Sequence, residues 1–139
     1  MNQAHFLFKQ CFLSEMVANN VDLTPEQYLL IDLLWDEGPL TQQEIANQMQ
    51  KDKNSITKLI DGLEKKGYVV RETNPKDRRK NRVIVTKTGE AKKQEITRIA
   101  INAADNILGG IPTEELNTVV EVLNKLNKNM KKLLEKKQV

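Results

Sequence analysis

The chain of 139 residues is 39% hydrophobic and 29% charged, with a net charge of +3, a profile that suits one soluble domain long enough to bury a core. No apolar run approaches the ~18 residues that span a bilayer, and the N-terminus has neither the basic start nor the cleavage site of a signal peptide. A cytoplasmic protein with no membrane partner is therefore expected. One cysteine, Cys11, leaves no internal disulfide, and with a single histidine, His5, the ligands of a closed zinc site are missing. Neither a metal nor another cofactor is expected.

In chain order, Phe6, Leu7, Phe8, Cys11, Phe12, Leu13, Met16 and Val17 predict a short, broadly apolar helix. Its wide apolar face implies burial against more than one neighbour, the second being another subunit. Cys11 falls in this set and reads as a small buried hydrophobe rather than a redox sensor. The next helix announces itself at Leu23-Thr24-Pro25-Glu26-Gln27-Tyr28: Thr24 caps, Pro25 takes the first helical position, Gln27 closes a capping box and Leu23 staples to Tyr28. Tyr28, Ile31, Leu34 and Trp35 form its inner side, widened by Leu30 and Leu33, and Gly38-Pro39 ends it.

Leu40-Thr41-Gln42-Gln43-Glu44-Ile45 repeats the device with a Thr…Glu capping box. This short helix turns Ile45, Ala46 and Met49 inward and gives out near Gln50-Lys51. Another helix begins at Asp52 or Lys53, with Ile56, Leu59, Ile60 and Leu63 toward the core. Two helices joined by so short a turn, the second better patterned, are the signature of a helix-turn-helix. The opposite face of the second carries Lys53, Asn54, Ser55, Thr57, Lys58 and Asp61, near the N-terminal half that meets base edges.

After Gly67, Tyr68 to Thr73 and Arg82 to Thr86 read as paired strands around a polar loop, Asn74 to Asn81, loaded with Lys76, Arg78, Arg79 and Lys80. A hairpin directly after a recognition helix is a wing. Its arginines suit a narrow minor groove or phosphate, and Asp77 suits orienting a neighbouring Arg. Charge placement agrees: residues 51–93 hold fourteen Lys and Arg against six Asp and Glu, whereas residues 1–50 hold one Lys against seven acids. A basic middle of that size attracts phosphates and outweighs the mild net charge.

From Lys87 to Leu108 the set Ile96, Ile99, Ala100, Ala103, Ala104, Ile107 and Leu108 predicts one long amphipathic helix, broken by Gly109-Gly110. The last helix, from Pro112 or Thr113, carries Leu116, Val119, Leu123, Leu126, Met130 and Leu133 in alternating steps of three and four. That heptad seam, broadened by Val120 and Leu134, points to dimerisation, and the Lys-rich end from Lys131 is expected to fray.

The block Leu40 to Ala46, the run Thr57-Lys58-Leu59-Ile60-Asp61-Gly62-Leu63-Glu64-Lys65-Lys66-Gly67-Tyr68-Val69, and Asp77-Arg78-Arg79 followed by Val83, Val85-Thr86 and Gly89 resemble the MarR family of bacterial transcription regulators. The resemblance covers nearly the whole chain. It implies a single domain, with residues 22–88 as the winged helix-turn-helix and residues 1–21 and 89–139 as dimerisation helices. It further implies a homodimer, often a repressor, that leaves a pseudo-palindromic operator when a small-molecule effector or an oxidant favours an incompatible spacing of its reading heads. Ser55, Thr57 and Lys58 match groove-facing positions of the recognition helix, Arg79 matches the wing-tip arginine, and Asp77 matches the acid that braces the wing. Two departures stand out: Cys11 lies too near Leu23-Thr24 to align with the reactive cysteine of oxidant-sensing members, and the first helix is brief.

The expected fold is thus mainly α with a small β-hairpin wing, six helices in all. The expected function is a sequence-specific double-stranded DNA-binding regulator. An enzyme would need a nucleophile with a base, paired carboxylates or a phosphate-cradling loop, none of which appears. A single-strand or RNA binder would interleave aromatics with its basic residues, yet residues 51–93 hold only Tyr68. The rival reading is a winged helix used purely for protein contacts, which salt-dependent binding to duplex DNA would separate.

Overall fold

The structure, a computed structural model, describes the backbone of residues 2–137 and the side chains of residues 7–137. The chain forms two compact units, residues 1–107 and 108–139. Its elements are α1 (Asn2–Ala18), α2 (Pro25–Glu37), α3 (Gln42–Met49), α4 (Lys53–Lys65), β1 (Val69–Glu72), β2 (Arg82–Val85), α5 (Lys87–Ile107) and α6 (Thr113–Lys137). Among the described residues, six helices and one antiparallel hairpin give the mainly α, winged helix-turn-helix architecture that the pattern predicted.

In α1, Phe12 and Met16 are buried one turn apart, while Leu7, Phe8, Leu13 and Val17 stay exposed. The helix runs for 17 residues and is not the brief element expected. Cys11 is also exposed, against the expectation of burial. A helix that is apolar nearly all round carries no phase in its sequence, and Phe12 and Met16 define an inward stripe that excludes the residue before Phe12. The side chains of His5 and Phe6 lie outside the described residues.

The starts of α2 and α3 are set locally. Thr24 Oγ1 accepts from the Gln27 N–H at 3.1 Å, and Gln27 Oε1 accepts from the Thr24 N–H at 3.1 Å, which satisfies two orphan donors at the helix end. At α3 half of the expected box forms: Thr41 Oγ1 accepts from the Glu44 N–H, but the Glu44 carboxylate accepts from the Thr41 hydroxyl at 3.1 Å rather than from its N–H. Between α3 and α4 the chain turns through Gln50, held left-handed at φ +53°. Asp52 then caps α4, accepting from the Ser55 N–H at 2.7 Å.

The core of the first unit joins these pieces. Leu30, Ile31 and Leu34 of α2, Ile45 of α3, Ile56, Ile60 and Leu63 of α4, Val69 and Val83 of the hairpin, and Ile96 and Ile99 of α5 are all buried. The hairpin pairs Val69 with Val85 and Arg71 with Val83. A third segment joins it, because the Val83 N–H donates to Leu40 O at 2.7 Å and the Leu40 N–H donates back at 3.4 Å. This bridge ties the segment before α3 to β2 near its loop end. At the other end of the hairpin, Thr86 Oγ1 accepts from the Gly89 N–H at 3.1 Å and so starts α5.

Within the second unit, α6 buries none of its residues. Its helix continues through Lys137, past the point where the Lys-rich end was expected to fray. Val119, Leu123, Leu126, Met130 and Leu133 are exposed, as are Val120 and Leu134. Leu116 is half-buried.

Candidate nucleic-acid interface

The expected reading residues fall in two groups on α4. Lys53, Asn54 and Lys58 are exposed and carry their polar ends into solvent, whereas Ser55 and Thr57 are half-buried. The Ser55 hydroxyl donates to Asp52 Oδ2 at 3.0 Å, in the same pairing that caps the helix. The Thr57 hydroxyl donates to Lys53 O at 2.9 Å and accepts from Gln42 Nε2 of α3. Gln42 Nε2 also reaches Lys53 O at 3.4 Å, so one side chain of α3 holds the first turn of α4.

Asp52 changes what the end of α4 can do. Hydrogen bonds from the Ser55 backbone and hydroxyl hold its carboxyl below the ordinary carboxylate range. A helix N-terminus otherwise attracts phosphate, but here a fixed carboxylate already occupies it. The helix therefore offers anions its side and not its end.

The wing loop is organised by short side-chain bonds. Asn74 Oδ1 accepts from the Lys76 N–H at 3.0 Å, and Asn81 Oδ1 accepts from the Asn74 N–H at 2.7 Å, closing the loop across its neck. Asp77 Oδ1 accepts from the Arg79 N–H at 3.0 Å and from Arg79 Nε at 3.3 Å, starting a single 3-10 turn over Arg78–Lys80. Lys76, Arg78, Arg79 and Lys80 are all exposed, with 94% of the Arg79 side chain in solvent. A cleft of about 560 Å³ brings Lys53 of α4 together with Arg78 and Arg79 of the wing, and Gln42, Gln43 and Asn81 also line it.

Arg71, on β1, was not singled out by its sequence position, where a charged strand residue looks merely solvated. Its Nη2 lies 2.7 Å from Asp61 Oδ1 and its Nη1 3.1 Å from Glu64 Oε1, and Nη2 also donates to Thr57 O at 3.4 Å. The fork locks the wing to α4 and neutralises the two acids that would repel phosphate there. Gln42 also escaped notice, because its contact spans fifteen residues and no local pattern encodes it. Asp77 and Glu72 are paired as well, with Arg79 and Arg82. Among the described residues, Lys53, Lys58, Lys76, Arg78 and Lys80 have no acidic partner within 4.0 Å. The expected seam of Leu116, Val119, Leu123, Leu126, Met130 and Leu133 lies in the second unit, apart from these groups along the chain.

A short helix, a tight turn, a second helix with a polar outer face and a basic hairpin locked against it define a winged helix-turn-helix protein. The MarR family model matches residues 23–80, from the start of α2 to the wing tip. The uncharacterized HTH-type transcriptional regulator YcgE of Bacillus subtilis strain 168 is 30% identical over 124 residues, which cover 88% of this chain and 79% of that protein. The chain belongs to the MarR family and is a transcriptional regulator. Two solved structures share its fold. BpsR of Bordetella bronchiseptica, whose DNA binding is regulated by 6-hydroxynicotinic acid, matches with a TM-score of 0.79 at 22% identity over 91% of this chain and 89% of its own. Reduced AbfR bound to DNA matches with a TM-score of 0.73 at 24% identity over 93% and 87%.

Proposed function

We propose that this regulator is a homodimeric repressor that binds a pseudo-palindromic double-stranded operator and leaves it when a small molecule binds. In this reading residues 22–88 contact DNA and residues 1–21 and 89–139 hold the dimer. The observation that carries it is electrostatic: among the described residues the acids Asp61, Glu64, Asp77 and Glu72 have basic partners, while Lys53, Lys58, Lys76, Arg78 and Lys80 have no acidic ones. Exposed cations without internal partners are the groups that displace counterions from a duplex. Lys53, Asn54, Ser55, Thr57 and Lys58 lie along the major groove, and Arg79, oriented by Asp77, reaches into the minor groove or onto its phosphates. AbfR bound to DNA supports the duplex as partner.

The effector has a candidate site in the first unit. A mainly apolar cavity of about 260 Å³ opens among Phe8, Phe12, Tyr28, Leu29 and Ile101. Occupancy there presses on α1, α2 and α5 together and so alters how the DNA-contacting part is held. The regulation of BpsR by 6-hydroxynicotinic acid supports a small aromatic compound as effector.

Selection of bound fragments from the source genome supplies the operator, and titration of that duplex at several salt concentrations tests the contact. Affinity should fall steeply with salt, each lost phosphate contact flattening the log–log slope by roughly 0.9. Arg79→Ala should weaken binding more than Lys80→Ala. A wild-type slope near zero removes the basic segment from the binding surface and leaves a protein-contact module.

A further inference from the structure

We propose that Gln42 and Thr57 form one reading unit in which Gln42 fixes the Thr57 side chain so that its methyl, not its hydroxyl, selects a thymine in the operator. This rests on the reading of α4 as the helix in the major groove. A threonine hydroxyl has one hydrogen, and here it goes to Lys53 O at 2.9 Å within the helix. Toward Gln42 the same oxygen can therefore only accept. Lys53 O is an acceptor as well, so both neighbours of the Gln42 amide require its NH₂ end, which sets the amide orientation without ambiguity.

With its hydrogen committed, Thr57 cannot donate to the O6, N7 or O4 acceptors that base edges present in the major groove. Its oxygen is engaged on two sides in a half-buried residue. The group left to discriminate is the methyl, and the feature of the major groove that a methyl recognises is the C5-methyl of thymine. Arg71 reinforces the geometry, since its Nη2 holds the Thr57 carbonyl at 3.4 Å from the wing side. Thr57 is thus pinned from α3 through its hydroxyl and from β1 through its backbone. Ser55 contrasts with it: its hydrogen goes to Asp52 alone, which leaves its oxygen able to accept from adenine or cytosine amino groups.

The probe is the tightest duplex from the genomic selection, with each thymine replaced in turn by uracil, which removes only the C5-methyl. One position per half-site should cost wild type roughly fourfold in affinity, the value of one buried methyl-sized group. Thr57→Val loses the hydroxyl and its bond to Gln42 but keeps the methyl, and in a helix Val holds one χ1 rotamer by its own branching where Thr divides between two, so it should bind and discriminate like wild type without Gln42. Thr57→Ser keeps both hydrogen bonds and the fold while losing the methyl, so it should bind the thymine and uracil duplexes alike. Gln42→Ala frees the hydroxyl to rotate and should reduce the same discrimination. Loss of base preference in Thr57→Val overturns the proposal, because the oxygen is then the reader. A base-specific response to Asn54→Ala with no uracil position that Thr57→Ser erases overturns it while leaving α4 in the groove. Flat responses to both Asn54→Ala and Thr57→Ser across single-base operator variants overturn it together with the groove reading.

Discussion

Gly89 is the residue on which the junction of wing and α5 turns. A Cβ built there would lie 2.3 Å from Tyr68 O and 2.7 Å from Val85 Cγ1. Alanine would favour the helix by about 1 kcal/mol, but a backbone oxygen cannot swing aside as a flexible side chain can. The clash prevails, and Gly89→Ala should destabilise the protein by about 1–3 kcal/mol net, as overpacked sites do. Chemical denaturation checks this; an unchanged midpoint would mean that α5 shifts freely on the hairpin. Thr86 caps the helix through the Gly89 N–H, so the residue that starts α5 and the residue that lets it approach are bonded to each other.

At the scale of elements, what sequence could reveal was what bonds locally. Thr24, Gln27, Thr41 and Asp52 act within three residues of themselves, so the starts of α2, α3 and α4 could be read from the local sequence. The Leu40–Val83 bridge, the Arg71 fork and the Gln42–Thr57 bond join residues far apart in the chain and leave no local trace. Cys11 failed for a different reason, since periodicity cannot give the phase of a helix with apolar residues on every side. The turn between α3 and α4 offers a test of local strain. Gln50 is left-handed at φ +53°, a conformation that costs a side-chain-bearing residue roughly 1–2 kcal/mol, against about 0.5–1 kcal/mol of extra chain entropy for glycine. Gln50→Gly should therefore raise stability by roughly 0.5–1 kcal/mol. A lower melting temperature would show that the Gln50 side chain holds the turn by a contact stronger than that strain.

Between α1 and α2 one of the links is ionic. Lys9 pairs with Glu26 and, by hydrogen bonding, holds its carboxyl below the ordinary value of 4.5 despite the opposing effect of burial. A carboxyl depressed in the folded state contributes stability that is fully present above its unfolded value and is lost as pH falls through the folded value. Lys9→Met removes the main cause of the depression. Its deficit relative to wild type should be largest near pH 7 and should shrink as pH falls below about 4.5, the ordinary value. Thermal melts from pH 7 down to pH 3 measure it, and a deficit that is constant with pH would assign the loss to the packed lysine stem instead.

On the scale of the whole molecule, the proposed dimer rests on the exposed apolar residues of α6. Val119 is 55% exposed, Leu123 52%, Met130 51% and Leu133 59%, and they recur at heptad spacing along 25 helical residues. Apolar residues scattered singly over a surface need no explanation, but a continuous stripe of this length marks an interaction surface. Heptad spacing suits another helix with the same spacing, and a second copy of the chain supplies one. The exposed Leu7, Phe8, Leu13 and Val17 of α1 offer a further surface for such a dimer. Two reading heads in one particle would then meet half-sites about one helical turn apart, ~34–36 Å. Replacing Leu123 and Leu126 together with Asp buries unpaired carboxylates in the seam, which is costly enough to separate the copies. Light scattering at micromolar concentration should give a dimer mass for wild type and a monomer mass for the double variant. Operator affinity should fall with it, because each monomer holds only one half-site. A wild-type monomer that still binds its operator tightly would remove the seam from dimerisation, and would leave α6 in need of some other partner.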